Sequence, residues 1–169
     1  MPPKYHAGRL CTLRAKLKLR VVVLAFVTNA AWAADPFYLG TWRIASAVVA
    51  PWVKGKAHDD DIAEMKSLVA KIIVIKPGEI TGPRIFVCKG PNYKVVDFPA
   101  SMLFQSAFEE MQRNHKSVDP GKLAAKLGFR GTKWKTLETG CANEIDYHFV
   151  DDAMAEFALN NYIYTIKKQ

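Results

Sequence analysis

Residues 145–168 read IDYHFVDDAMAEFALNNYIYTIKK, and the alternation within them decides the fold class. Segments 145–150, 154–159 and 162–168 each place apolar side chains at every second position, the period of a strand with one buried face. Asp151-Asp152 and Asn160-Asn161 separate the three, and two-residue links of this composition make tight hairpin turns. The C-terminal third is therefore expected to be a run of antiparallel strands.

Working outward, the same period recurs. Residues 134–139, 93–98 and 84–89 read as strands, with Gly90-Pro91-Asn92 as the turn between the last two. Residues 71–76 (KIIVIK) are β-branched and end at Pro77-Gly78. Residues 41–49 put Trp42, Ile44 and Val48 on one face and stop before Pro51. Helical spacing interrupts the pattern three times. Asp59-Asp60-Asp61 leads into Ile62, Met65 and Leu68, where carboxylates suit the positive end of a helix. Met102, Leu103, Phe104, Phe108 and Met111 recur at helical intervals up to Asn114. Asp119-Pro120 then supplies a cap and first turn for a short helix over 121–127 that ends at Gly128. The expected architecture is mainly β: an antiparallel eight-stranded barrel with two or three short helices, in which the helical insertion 99–127 covers one opening.

The N-terminus carries a second message. Six cations, from Lys4 to Arg20, precede the apolar run Val21 to Val27 and the small residues Ala31 and Ala33. This is the three-part pattern of a secretory signal peptide, 1–33, with cleavage after Ala33. The apolar run falls short of the roughly 20 residues a spanning helix needs, so no stable membrane anchor is expected after cleavage. Cys11 precedes that run and is no lipidation site for the mature chain. Without the leader, 18 Lys and Arg face 16 Asp and Glu, a net of +2 instead of +8, and the case for a nucleic-acid partner disappears. The remaining segment, 34–169, is the size of a single domain. It keeps Cys88 and Cys141, which lack metal or redox spacing and are expected to form one disulfide in a periplasmic or secreted protein.

Phe37-Tyr38-Leu39-Gly40-Thr41-Trp42 places Gly-x-Trp at the start of the first strand. In this the chain resembles the lipocalin and wider calycin families of ligand-binding barrels. The resemblance implies an eight-stranded barrel holding a small hydrophobic ligand. It also implies that Trp42 closes the barrel floor and that Lys167 or Lys168 takes the place of the family's late basic residue.

No GxSxG elbow, HExxH pair or glycine-rich phosphate loop occurs. Alternation places Glu144, Asp146 and His148 on one face of a strand, a row able in principle to shuttle protons or bind a metal, although the same alternation reads it as a solvent face. His58 with the three aspartates reads as a helix start rather than a cation site, because consecutive side chains do not converge on one ion. His115 follows the long helix, where its charge would complement the dipole. No catalytic residue, metal or cofactor is assigned. The aromatic residues carry the functional expectation: Trp42, Trp52, Tyr93, Phe104 and Tyr147 as the lining of a site for a small hydrophobic or amphipathic ligand. Trp52, in a loop after Pro51, is the strongest single candidate. A different class of function is a periplasmic protein-binding module, an inhibitor of a cell-wall hydrolase such as lysozyme, using the loop 51–60. An acid/base enzyme built on Glu144, Asp146 and His148 is the third.

Overall fold

The computed structural model describes residues 36–56 and 58–169. The expected signal peptide, 1–33, lies outside the described residues. Nine strands follow: β1 Gly40–Val49, β2 Ile72–Lys76, β3 Glu79–Thr81, β4 Cys88–Lys89, β5 Lys94–Pro99, β6 Lys133–Glu138, β7 Tyr147–Asp151, β8 Met154–Leu159 and β9 Tyr162–Lys168. Helices α1 Asp59–Leu68, α2 Leu103–Asn114 and α3 Pro120–Lys126 complete the fold. All strand pairs are antiparallel in one sheet of order β4-β3-β2-β1-β9-β8-β7-β6-β5.

The fold is thus mainly β and antiparallel, with nine strands among the described residues where eight were expected. Pro77-Gly78, at which β2 ends as expected, is the two-residue turn of a hairpin, with Lys76 opposite Glu79. Residues 84–89, expected as one strand, split into a 3-10 turn at Arg84–Phe86 and the two-residue β4. Pro83 cannot donate to a ladder, and its carbonyl instead accepts from the amide of Phe86, 2.9 Å away. That turn drives Phe86 into the interior, where its ring meets Phe157 edge-on at 5.3 Å.

The sheet curls into a half-barrel. Trp42 on β1 and Phe149 on β7 have ring centroids 5.7 Å apart, although β9 and β8 lie between them and a flat sheet would separate the two strands by about 14 Å. The β1–β9 ladder joins the first and last strands, so the remaining gap falls between β4 and β5. Three links span it. Cys88 on β4 is bonded to Cys141, just past β6, with Cα atoms 5.9 Å apart. Asn143 Nδ2 donates to the carbonyl of Ile85 at 2.8 Å, and Tyr93 Oη donates to the carbonyl of Lys76 at 2.8 Å.

Side chains fill the inner face: Trp42, Ile44, Ile73, Ile75, Tyr147, Phe157 and Tyr164 are all buried, and Phe157 and Tyr164 stack at 5.0 Å. Helix α1 adds Ile62, Met65 and Leu68 to this core. Its acidic start also pins the β8–β9 turn, because Asp61 and Glu64 accept from the side chains of Asn161 and Asn160. The outer face carries a second core in which Trp134 and Ile163 pack with Phe104, Phe108 and Phe129. The insertion 99–127 therefore lies against the outer face of the sheet and does not cover an opening. The cause is in the strands themselves: Tyr162, Ile163 and Tyr164 are consecutive and all buried, which requires cover on both sides.

Removal of the disulfide tests the seam. The cysteines are 53 positions apart, and the loop-entropy estimate for such a closure is about 4 kcal/mol. Cys88→Ser is expected to lose about that much stability in non-reducing urea denaturation. An unchanged midpoint would show that the hydrogen bonds alone close the gap.

Candidate functional site

Pro51 ends β1 and turns the chain: the amide of Val53 donates to the carbonyl of Ala50 at 3.0 Å, while Ala50 is held by Asn161 at 2.9 Å. The turn brings Trp52 back over the outer face of the sheet, with its indole 5.9 Å from the ring of Phe104 and 6.1 Å from that of Phe108. Between this segment, α2 and the β8–β9 turn lies a cleft of about 630 Å³. Its apolar wall is formed by Trp52, Phe104, Ala107 and Met111, and its polar rim includes Lys54, Gln105, Glu110 and Asn160.

The wall contributed by α2 has an unusual backbone. Phe104, Gln105 and Ser106 have φ of 52°, 56° and 63°, three successive left-handed residues without a glycine. Each such residue costs about 1–2 kcal/mol, so tertiary contacts must hold the turn. Leu103 and Phe104 are buried in the outer core. Gln105 Nε2 donates to the carbonyl of Glu144 at 2.9 Å, and the amide of Phe104 donates to His148 Nε2 at 2.9 Å. Because Nε2 accepts, the neutral ring carries its proton on Nδ1, which faces Thr136 Oγ1 at 2.9 Å. Burial lowers the His148 pKa to about 3.

The row Glu144, Asp146 and His148 is not the solvent face expected from alternation. Strand β7 begins only at Tyr147, so the three do not share a strand face. Glu144 is exposed, with a left-handed φ of 54°. Asp146 is half-buried, and burial, with Glu138 and Glu144 nearby, raises its carboxyl to about 6. His148 is 1 % exposed, packed between Phe104 at 4.9 Å and Phe98 at 6.3 Å, because α2 covers the face that sequence reads as wet. Glu138, Glu144, Asp146 and Gln105 border a second, smaller cavity of about 280 Å³. Among the described residues, no group of three or more His, Cys, Asp or Glu is arranged to hold a metal ion.

Of the five aromatic candidates, the structure brings Trp52 and Phe104 together at the cleft. Trp42 is fully buried, its Nε1 donating to the carbonyl of Tyr38 at 3.0 Å, with Lys168 Nζ 5.5 Å over its ring. Tyr147 packs in the inner core, 5.6 Å from Phe157. Tyr93 lies at the seam, 5.2 Å from Tyr38. Sequence reasoning missed Gln105 and Asn160 on the cleft rim, since neither carries a local signal beyond polarity.

It also missed Glu156. This residue pairs with His148 in register on the outer face and is 4 % exposed. Thr165 Oγ1 donates to its Oε1 at 3.3 Å, and its Oε2 has no protein partner. Burial raises the carboxyl from 4.5 to about 8, which favours its protonated form.

Those shifts set the response to pH. Glu156 holds its proton more tightly when folded, so its contribution is complete below pH 4.5 and is lost as pH rises toward 8. His148 acts in the opposite sense: its contribution is complete above pH 6.5 and is lost as pH falls toward 3. Glu156→Gln should therefore gain stability relative to the parent as pH rises from 5 to 8, by at most about 1.4 kcal/mol per pH unit. Chemical denaturation across that range measures it, and a difference independent of pH would contradict the burial of an ionisable proton here.

No family model matches this chain, and no match was found among curated proteins or among solved structures.

Proposed function

We propose that the protein is a non-catalytic binding protein, exported to the periplasm or beyond, that holds a small amphipathic ligand in the cleft beside Trp52. The observation that carries this reading is the indole itself, set as the wall of a cavity of about 630 Å³ that mixes aromatic surface with a polar rim. Small-molecule sites usually span about 300–1,000 Å³ and combine these two kinds of lining. The inner face, where a barrel would keep its ligand, is occupied by Trp42, Tyr147, Phe157 and Tyr164. The ligand is accordingly assigned to the outside of the curl. Trp52 packs back onto α2 instead of projecting, which favours a ligand over insertion of the loop into a target enzyme. A disulfide-linked pair suits an oxidising compartment.

We also infer a calycin-type origin for the sheet. Its support is Trp42 at the start of β1 with a late cation, Lys168, over the ring at 5.5 Å. On this reading a closed barrel has opened between β4 and β5, with the disulfide across the opening.

Anilinonaphthalene sulfonate, whose fluorescence rises on an apolar surface, tests the site. The folded protein is expected to bind it saturably, and Trp52→Ala to weaken that binding about tenfold, the equivalent of 1.4 kcal/mol. Equal binding by Trp52→Ala, with an unchanged circular dichroism spectrum, would remove the cleft from consideration.

A further inference from the structure

The turn that forms one wall of the cleft takes a conformation that its own residues disfavour, and one buried side chain from the sheet meets it. We propose that His148 is a positioning residue for the cleft, holding the left-handed turn Phe104–Gln105–Ser106 so that Phe104 backs its apolar wall and Gln105 lies on its rim. This rests on the reading of the cleft as the binding site. Three observations converge on the ring. Its Nε2 accepts from the amide of Phe104 at 2.9 Å, at the first left-handed residue of the turn. Thr136, on the neighbouring strand β6, engages Nδ1 at 2.9 Å and so fixes the ring orientation, while the Phe104 amide sets the tautomer. The imidazole also meets the phenyl ring of Phe104 edge-on, with centroids 4.9 Å apart at 80°. One group therefore sets the backbone and the side chain of the same lining residue.

The consequence is a chain of placement from the sheet to the cleft. Thr136 orients His148, His148 orients Phe104, and Phe104 meets Trp52 at 5.9 Å across the apolar wall. Gln105, next in the chain, is then held against Glu144 and lies on the rim. An apolar residue at position 148 would fill the volume but leave the Phe104 amide without its acceptor. A glutamine, whose amide reaches the position of Nε2, would keep an acceptor for the Phe104 amide.

The test compares His148→Leu with His148→Gln, both at a temperature where circular dichroism shows them folded. Binding of anilinonaphthalene sulfonate and the amide resonances of Phe104, Gln105 and Ser106 are measured together. His148→Leu is expected to shift those resonances and lose about tenfold in dye affinity, while His148→Gln stays within about threefold of the parent. Leu137→Ala, a cavity in the inner core, serves as the control: it should lower stability and leave dye affinity unchanged. Should His148→Leu not fold, Thr136→Val removes the orienting partner and is expected to give the same shifts with a smaller loss. Unchanged resonances and parent-like affinity in the folded leucine variant, or in Thr136→Val where leucine does not fold, would overturn the proposal. So would an equal loss of affinity in Leu137→Ala. If the parent itself binds no dye, the cleft reading falls, and the resonances of the turn still decide whether His148 positions it.

Discussion

Strands β7, β8 and β9 are buried on both faces, and this constraint organises the rest of the molecule. Tyr147 and Phe149 point one way and His148 the other; Ala155 and Phe157 are opposed by Glu156, and Tyr162 and Tyr164 by Ile163. Such a sheet requires two layers of cover. The inner face obtains it by curling on itself, with aromatic rings from distant strands meeting across the interior. The outer face cannot do the same and recruits the insertion between β5 and β6. The cleft exists because that cover is incomplete: α2, the segment after β1 and the β8–β9 turn approach one another without closing.

Covering an outer face that keeps polar residues has a cost, which hydrogen bonds offset at every polar side-chain atom of the row except Glu156 Oε2. Thr136, His148 and Glu156 occupy successive strands in register and are nearly or fully buried. His148 uses both ring nitrogens in hydrogen bonds and is neutral, and burial favours the protonated form of Glu156. Neutrality is what a buried polar row needs, since an ionised group there would lack compensation. The seam between β4 and β5 reflects the same economy of contacts. Curling stops short of a ladder there, and a covalent link with side-chain hydrogen bonds takes its place.

Much of the fold was legible because it is local. The C-terminal hairpins follow from period-two alternation and two-residue turns, and α3 follows from Asp119, whose Oδ1 accepts from the amides of Gly121 and Lys122. What alternation cannot tell is the nature of the cover on each face. Polar residues at alternate positions read as wet, and His148 is dry because Phe104 of a distant helix lies on it. Residues 84–89 misled for a related reason: an apolar run fits a strand until Pro83 and the inward demand of Phe86 bend it. At the site, Trp52 and Phe104 were each legible as aromatic candidates, whereas their meeting is tertiary. The left-handed turn beside them has no glycine to announce it.

The inner face is sealed by its own side chains, and we propose that the outer cleft receives the ligand. A crystal structure of the protein soaked with anilinonaphthalene sulfonate tests it most directly. Density for the dye is expected between Trp52 and α2, with Trp42, Tyr147 and Tyr164 unmoved. Density inside the curl, among those three rings, would contradict it.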